Sequence, residues 1–235
     1  MRFSKKNKIQ FISTVEGLES IEECLPKPAK HFIPKWFKDI PSQNTMSVKS
    51  CPSFPDYFSQ GYIIPMWSDV EILKTEAGWT WRNFTEQFAW NAHSNDQFLD
   101  YVPASFNGVE GQFVFKPTCP WRIITPPGWS VLQLPLFYHF NKDYSILPGI
   151  IDTDIHHEIN QQVLYHGNGN PVKINTGDPF VLYIPFKRSN KLKHEVFYQT
   201  EKHKKYFNIE GLRFAQKFKP NGVYRELQRK RDKDF

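Results

Sequence analysis

The chain has 235 residues, of which 21 are Phe, 10 Tyr and 7 Trp, so we expect one or two domains with a core built mainly from aromatic rings. It has no apolar run long enough for a transmembrane helix, and residues 1–10 are basic and polar, which speaks against a secretory signal. The three cysteines are widely spaced and odd in number, so we expect free thiols in a reducing compartment, namely bacterial or host cytoplasm.

Short strands joined by turns are predicted along most of the chain, because 18 prolines interrupt the apolar runs. A strand is predicted over residues 9–15. Residues 26–41 follow with four prolines and have room only for a brief helix at 35–39. Between 112 and 186 short apolar runs alternate with turn residues, the strongest β pattern in the chain. Near the C-terminus, residues 223–231 predict a short helix.

The fold class predicted from these elements is mostly β. We expect a single β-sandwich or jelly-roll-like domain with short helices in its N-terminal segment and C-terminal tail. The predicted organisation is an N-terminal strand and Pro/aromatic segment over 1–45, a β core over 46–189, and a basic, partly helical tail over 190–235.

The segment 149–159 carries the most suggestive chemistry in the sequence. In a regular strand Asp152, Asp154, His156 and Glu158 would share one face, because side chains alternate between the two faces of a strand. Carboxylate and imidazole groups are ligands for Fe, Mn or Zn. One hypothesis is therefore a cupin-like site for a divalent metal.

The predicted metal ligands combine two residues of that face with a histidine from a neighbouring strand. The candidates are Asp154, His156, His139 and His166.

A second hypothesis concerns nucleotides. The stretches GIIDTDIHHEI and PVKINTGDPFVLYIPF, within 147–188, resemble motifs of the dUTPase and dCTP deaminase fold. The resemblance implies that Asp152 is the water-activating carboxylate. The sequence departs from the family pattern because Ile155 replaces the stacking aromatic and His157 replaces a glycine. It also lacks the Pro-Arg-Ser motif and the glycine-rich arm. A third interpretation is that the acidic face is only the solvated side of a strand.

Two further groups of residues are candidates for contacts. Trp79 and Trp81 share a strand face and could stack on a ligand such as a sugar, although core packing is the commoner role of Trp. Residues 187–235 hold 15 Lys and Arg against 6 Asp and Glu, whereas the rest of the chain holds 15 against 18. This basic tail could contact nucleic acid, or it could dock on another subunit. Its candidate contact residues are Lys204, Lys205, Arg229, Lys230 and Arg231.

Over residues 30–190 the order of blocks such as KHFIPKWFKDIP, PWRIITPPGWSVLQLP and GDPFVLYIPFKR is similar to an uncharacterised family of tailed-phage (especially marine) and bacterial proteins. That resemblance implies a phage or bacterial origin and no particular activity. The leading hypothesis is a non-enzymatic binding or structural protein, a homo-oligomer or a partner of other phage proteins, located in the host cytoplasm or the virion. The alternative is a metal-dependent or dUTPase-like nucleotide-binding protein that uses residues 152–158.

Overall fold

The long strand β7 organises the largest sheet of the computed structural model. The structure describes residues 8–41, 43, 47–75, 78–83, 88–103, 112–166, 171–188, 192–206, 212, 216–217 and 222–231. The described strands are β1 Gln10–Ser13, β2 Lys27–Pro28, β3 Tyr62–Pro65, β4 Val70–Thr75, β5 Gly78–Asn83, β6 Trp90–Ala92, β7 Phe113–Ile124, β8 Trp129–Leu134, β9 Tyr144–Ile146, β10 Gly149–Ile151, β11 Glu158–Asn160, β12 Val163–Tyr165, β13 Val172–Ile174 and β14 Pro179–Lys187.

The strands form three antiparallel sheets. In the six-stranded sheet the order is β1-β7-β12-β9, and β6 and β11 also pair with β7. The five-stranded sheet has the order β10-β8-β14-β3-β2, and the third sheet has the order β13-β4-β5. The consecutive strands β10 and β11 belong to different sheets, because β10 pairs with β8 while β11 pairs with β7.

Helices are few and short. The α-helices with described bounds are α1 Lys35–Lys38, α2 Ser53–Phe58 and α3 Val223–Arg231. The 3-10 helices are Leu18–Ser20, Glu22–Cys24, Ala29–Phe32, Val48–Ser50, Asn95–Gln97, Leu99–Tyr101, Phe137–His139 and Glu201–Tyr206. No helix in the described part of the chain is both long and apolar enough to cross a membrane. The predicted mostly β class, with short helices toward both ends, is confirmed, while the jelly-roll topology stays a prediction.

The chain forms two compact units. The first comprises residues 1–32 and 61–190, and the second comprises residues 33–60 and 191–235. All three sheets lie in the first unit. The boundaries predicted above, after residues 45 and 189, stay a prediction.

Aromatic rings fill the core of the first unit, as the composition predicts. The largest fully buried aromatic side chains are those of Trp121, Tyr165, Tyr183, Phe115 and Phe180. The thiols of Cys24 and Cys119 are also buried, and all three cysteines are free. Burial raises the pKa of the Cys119 thiol to about 12, so this cysteine is protonated and unreactive at neutral pH.

In the second unit α3 is fastened to α2 by polar contacts. Asp56 accepts a hydrogen bond from Gln228 Nε2 at 3.0 Å, and its other carboxylate oxygen lies 3.4 Å from Arg225 Nη1. Phe37 packs against Phe54 and Phe58, with ring centroids 6.1 Å and 4.8 Å apart. The predicted helix over 223–231 is confirmed, and its contacts with Asp56 hold one of its faces in place.

Candidate functional site

Residues 152–157 form a turn, which corrects the predicted regular strand over 149–159. The carbonyl of Asp152 accepts hydrogen bonds from the amides of Ile155 at 3.0 Å and His156 at 2.9 Å, so the chain reverses direction. Short Asp and Thr side chains favour such turns because they compete with the strand for backbone hydrogen bonds. Asp152, Asp154, His156 and Glu158 therefore do not line up on one strand face.

Asp154 points into an ion pair with Arg188 at the end of β14. Arg188 Nη1 and Nη2 donate to the two carboxylate oxygens of Asp154 at 2.8 Å and 2.6 Å. The amide of Gly128 donates to Asp154 Oδ2 at 2.7 Å, and the Asp154 side chain is only 6% exposed. The Arg188 hydrogen bond, followed by that from Gly128, lowers the pKa of Asp154 to about 2. Asp154 is therefore a charged structural anchor between two loops.

Asp152 is held by the same arginine but remains accessible. Its Oδ1 accepts a hydrogen bond from Ser130 Oγ at 2.6 Å and lies 3.1 Å from Arg188 Nη1. The Ser130 side chain is buried, whereas the Asp152 side chain is 45% exposed. Ser130 and Arg188 thus hold one carboxylate oxygen in place, while the carboxylate remains accessible to a ligand or a water molecule.

The turn is also clamped to the loop that precedes β8. Thr125 Oγ1 and Thr153 Oγ1 lie 2.8 Å apart, and the amide of Thr125 donates to the carbonyl of Thr153 at 3.2 Å. Both threonines are buried. Together with the Gly128–Asp154 contact, these bonds preorganise the backbone around Asp152.

Replacing Asp154 with Asn should remove part of the acid sensitivity of the fold. The pKa of Asp154 is about 2 in the folded chain and about 3.9 when unfolded. Between these values the unfolded chain binds more protons, so the contribution of Asp154 to stability is complete above about pH 4 and falls as the pH approaches 2. We expect wild type to exceed Asp154→Asn in free energy of unfolding by a margin that shrinks toward low pH. Urea titrations from pH 3 to 7 measure this margin.

The control is Asp100→Asn, which removes an exposed carboxylate outside this ion pair. A difference between wild type and Asp154→Asn that is constant from pH 3 to 7 would contradict the role given to the ion pair.

An open depression of about 400 Å³ lies beside Asp152. It is lined by Ile150, Ile151, Asp152, His156, Glu158 and Asn160. Its apolar and polar parts are both accessible: Ile150 is 65% exposed and the Glu158 side chain 49%. Glu158 Oε2 lies 3.9 Å from Arg122 Nη2, a loose pairing that leaves this carboxylate able to take part in binding. The depression therefore offers two carboxylates, an imidazole and an amide next to an apolar wall.

The predicted metal ligands are not assembled. His166 Nδ1 lies 3.0 Å from the carbonyl of Lys142, and His139 interacts with the backbone of Phe32. Asp154 is saturated by Arg188 and Gly128, and only His156 borders the depression. Among the described residues, no three His, Cys, Asp or Glu side chains are grouped so as to hold a metal ion. The long-range placement of these histidines could not be read from strand alternation.

The predicted ligand-stacking tryptophans lie on β5. Trp81 is partly buried and packs against the core cluster, so only part of its ring is accessible. The side chain of Trp79 lies outside the described part of the chain. A stacking role for this pair stays a prediction.

The basic residues of the tail are partly neutralised by neighbouring acids. Lys204 Nζ lies 2.8 Å from Glu201, and Lys230 Nζ lies 3.0 Å from Glu226. Arg229 is exposed on α3, while the side chains of Lys205 and Arg231 lie outside the described residues. Contact of this tail with nucleic acid stays a prediction.

Sequence reasoning missed three residues of the site, namely Ser130, Arg188 and Gly128. Arg188 follows the apolar run of β14, and Ser130 is one of the two buried polar residues of β8. The sequence marks Ser130 and Arg188 only as polar residues within, or directly after, an apolar strand. That signal does not name a partner 22 to 34 residues away in the chain.

No family model matches the chain, and no curated protein matches it. Among solved structures it is similar to dUTPases. The EIAV dUTPase is 10% identical with a TM-score of 0.37, over 82% of this chain and 99% of that one. Two structures of the dUTPase of phage phi11 of S. aureus, one a mutant described with a structural Mg(II) ion, are each 12% identical with a TM-score of 0.38, over 83% of this chain and 97% of theirs.

Proposed function

We propose that the protein binds a nucleotide in the depression beside the 152–157 turn. The observation that carries this proposal is the state of Asp152, which is fixed by Ser130 and Arg188 yet open to the depression. A carboxylate held in this way can accept a hydrogen bond from a sugar hydroxyl or from a water molecule. The sequence resemblance of residues 147–188 to the dUTPase fold favours the same ligand class.

The other groups at the depression suit the parts of a nucleotide. Asn160 and His156 can donate and accept hydrogen bonds, as base edges require. Ile150 and Ile151 supply an apolar wall for a planar ring. No lysine or arginine is among the described residues that line the depression, so phosphate would have to be held there through a cation.

A divalent cation fits this arrangement as part of the ligand. Mg²⁺ commonly binds through one or two carboxylates together with substrate phosphates, and Asp152 and Glu158 are the two carboxylates that line the depression. The cation would screen the charge between these carboxylates and the phosphates. Its contribution is tested by adding nucleotide with and without Mg²⁺.

Asp152→Asn should abolish or strongly weaken nucleotide binding. Saturating ligand at 100 times its dissociation constant stabilises wild type by about 2.7 kcal/mol, which corresponds to several degrees in melting temperature for a chain of this size. We expect one of the deoxynucleoside triphosphates, with Mg²⁺, to produce such a shift in wild type but not in Asp152→Asn. Thermal unfolding measures the shift in melting temperature, and titration calorimetry measures nucleotide binding, in wild type and in Asp152→Asn.

The matched control is Asp100→Asn, which removes an exposed carboxylate elsewhere and should keep the wild-type shift. The proposal fails if no nucleotide shifts the melting temperature, or if Asp152→Asn binds as wild type does. Pyrophosphate release in the same samples decides whether binding is accompanied by hydrolysis, with Asp152 as the carboxylate that activates water.

A second candidate is a non-enzymatic binding or structural role, as a phage-encoded assembly or virion component. Several large apolar side chains of the first unit are exposed: Phe137 at 67%, Phe140 at 62%, Ile150 at 65% and Ile155 at 76%. Such exposure is typical of interaction surfaces when the side chains form a patch. Light scattering of the full chain tests homo-oligomerisation, and a monomer at all concentrations would count against it.

A further inference from the structure

A second cavity lies in the first unit under residues 135–146. Its volume is about 380 Å³, within the range of small-molecule sites. The floor is made by the buried side chains of Tyr144, Ile146 and Phe180, and the Tyr144 and Phe180 rings are 5.9 Å apart. Phe137 and Phe140 stand at its mouth, 67% and 62% exposed. Rings therefore line both the inner and the outer parts of the cavity.

The loop at the mouth is held in a strained conformation. Phe140 has φ 51° and ψ 39°, the left-handed region that bulky residues rarely adopt. The residue ends a turn in which its amide donates to the carbonyl of Phe137 at 3.2 Å. The rings of Phe137 and Phe140 lie 6.3 Å apart. Strain of this kind is concentrated at ligand clamps and other functional positions.

Two basic side chains are among the polar groups that line the cavity. Lys142 is exposed and lines the cavity with its positive charge. His139 also lines it. Burial lowers the pKa of His139 against the opposing effect of its interaction with the Phe32 backbone, so its ring is neutral at pH 7 and can donate or accept a hydrogen bond.

We propose that this cavity binds a planar aromatic molecule that carries an acidic group. Aromatic side chains pair with planar rings in stacked or edge-to-face arrangements, and the lining has such rings at its floor and at its mouth. Lys142 assigns the acidic group, because its positive charge would pair with one and no carboxylate is among the described residues that line the cavity. This cavity shares no lining residue with the depression beside Asp152, so the proposal does not depend on the proposed nucleotide site.

The test uses 2-naphthoate as the probe and calorimetry on the full chain. Naphthalene-2-methanol keeps the ring without the charge, and cyclohexanecarboxylate keeps the charge without the aromatic ring. We expect naphthoate to bind more tightly than either. Phe137→Ser should weaken naphthoate binding by about tenfold or more, the effect of losing one stacking contact. Lys142→Gln should weaken naphthoate but not naphthalene-2-methanol.

Two control variants separate the site from general effects. Tyr101→Ser removes an aromatic ring that is 80% exposed outside the cavity, and Lys187→Gln removes an exposed lysine at the end of β14. Both should bind naphthoate as wild type does. Absence of naphthoate binding, equal binding of the three compounds, or unchanged affinity in Phe137→Ser would each overturn the proposal. Because Phe137 is 67% exposed, its substitution leaves the core intact.

Discussion

Gly61→Ala is expected to destabilise the first unit by more than about 3 kcal/mol, or to prevent its folding. Gly61 precedes β3 with φ +70°, where any side chain is strained. A Cβ atom there would lie 2.2 Å from the carbonyl oxygen of Tyr183 and 3.1 Å from Cα of Ile184, both in the backbone of β14. Because backbone atoms in a paired strand cannot move aside, the β3–β14 pairing would have to open. Urea unfolding followed by tryptophan fluorescence measures the loss.

Gly17→Ala is the control for this prediction. Gly17 has φ +83°, and a Cβ atom there would meet nothing within 4 Å. Its substitution therefore costs only the strain of the left-handed backbone, about 1–2 kcal/mol. An equal loss of unfolding free energy in Gly61→Ala and Gly17→Ala would contradict the close contact between Gly61 and the backbone of β14.

Local patterns in the sequence predicted those parts of the fold that depend on local chemistry. The helix over 223–231 follows from its composition, and α3 has the predicted bounds. Val70 and Ile72 alternate with polar residues, a pattern that predicts a half-buried strand, and both side chains are fully buried in β4. The high aromatic content predicted a ring-filled core because rings bury more apolar area than any other side chains.

The site could be predicted only in part, because its geometry depends on contacts between distant residues. The resemblance assigns Asp152 the role of a water-activating carboxylate, which stays a prediction, and strand alternation places Asp152 on one face with Asp154, His156 and Glu158. The strand alternation from which that prediction started fails at residue 152, where local hydrogen bonds replace the ladder. The pairing of Asp154 with Arg188 joins residues 34 positions apart, and nothing in the sequence between them specifies it.

Asp152 and Asp154 have different roles because their contacts with Arg188 differ. Asp154 is enclosed and fixes the turn to Arg188 and Gly128, whereas Asp152 shares the arginine and faces the depression. The position of Asp152 therefore depends on Ser130 and on the arginine that Asp154 holds in place. We expect a substitution of Asp154 to affect ligand binding indirectly, through the orientation of the turn.

Tyr183→Phe is expected to destabilise the first unit by about 2–4 kcal/mol, because it leaves buried polar groups without partners. The Tyr183 hydroxyl donates to Gln133 Oε1 at 2.8 Å and accepts a hydrogen bond from Gln161 Nε2 at 2.9 Å. All three side chains are at least 96% buried. Burial raises the pKa of Tyr183 well above its usual value, so the hydroxyl keeps its proton and its donor role. Chemical unfolding of wild type and variant measures the difference.

The network also predicts non-additivity. Replacing both ends of a buried hydrogen bond by apolar groups costs less than leaving one end unpaired, so Tyr183→Phe combined with Gln161→Leu should cost less than the sum of the two single variants. Tyr101→Phe, at a position that is 80% exposed, should be neutral. Additive losses in the double variant would mean that the hydroxyl and the amide act separately. The Tyr183 hydroxyl would then not couple β14 to the 158–162 segment.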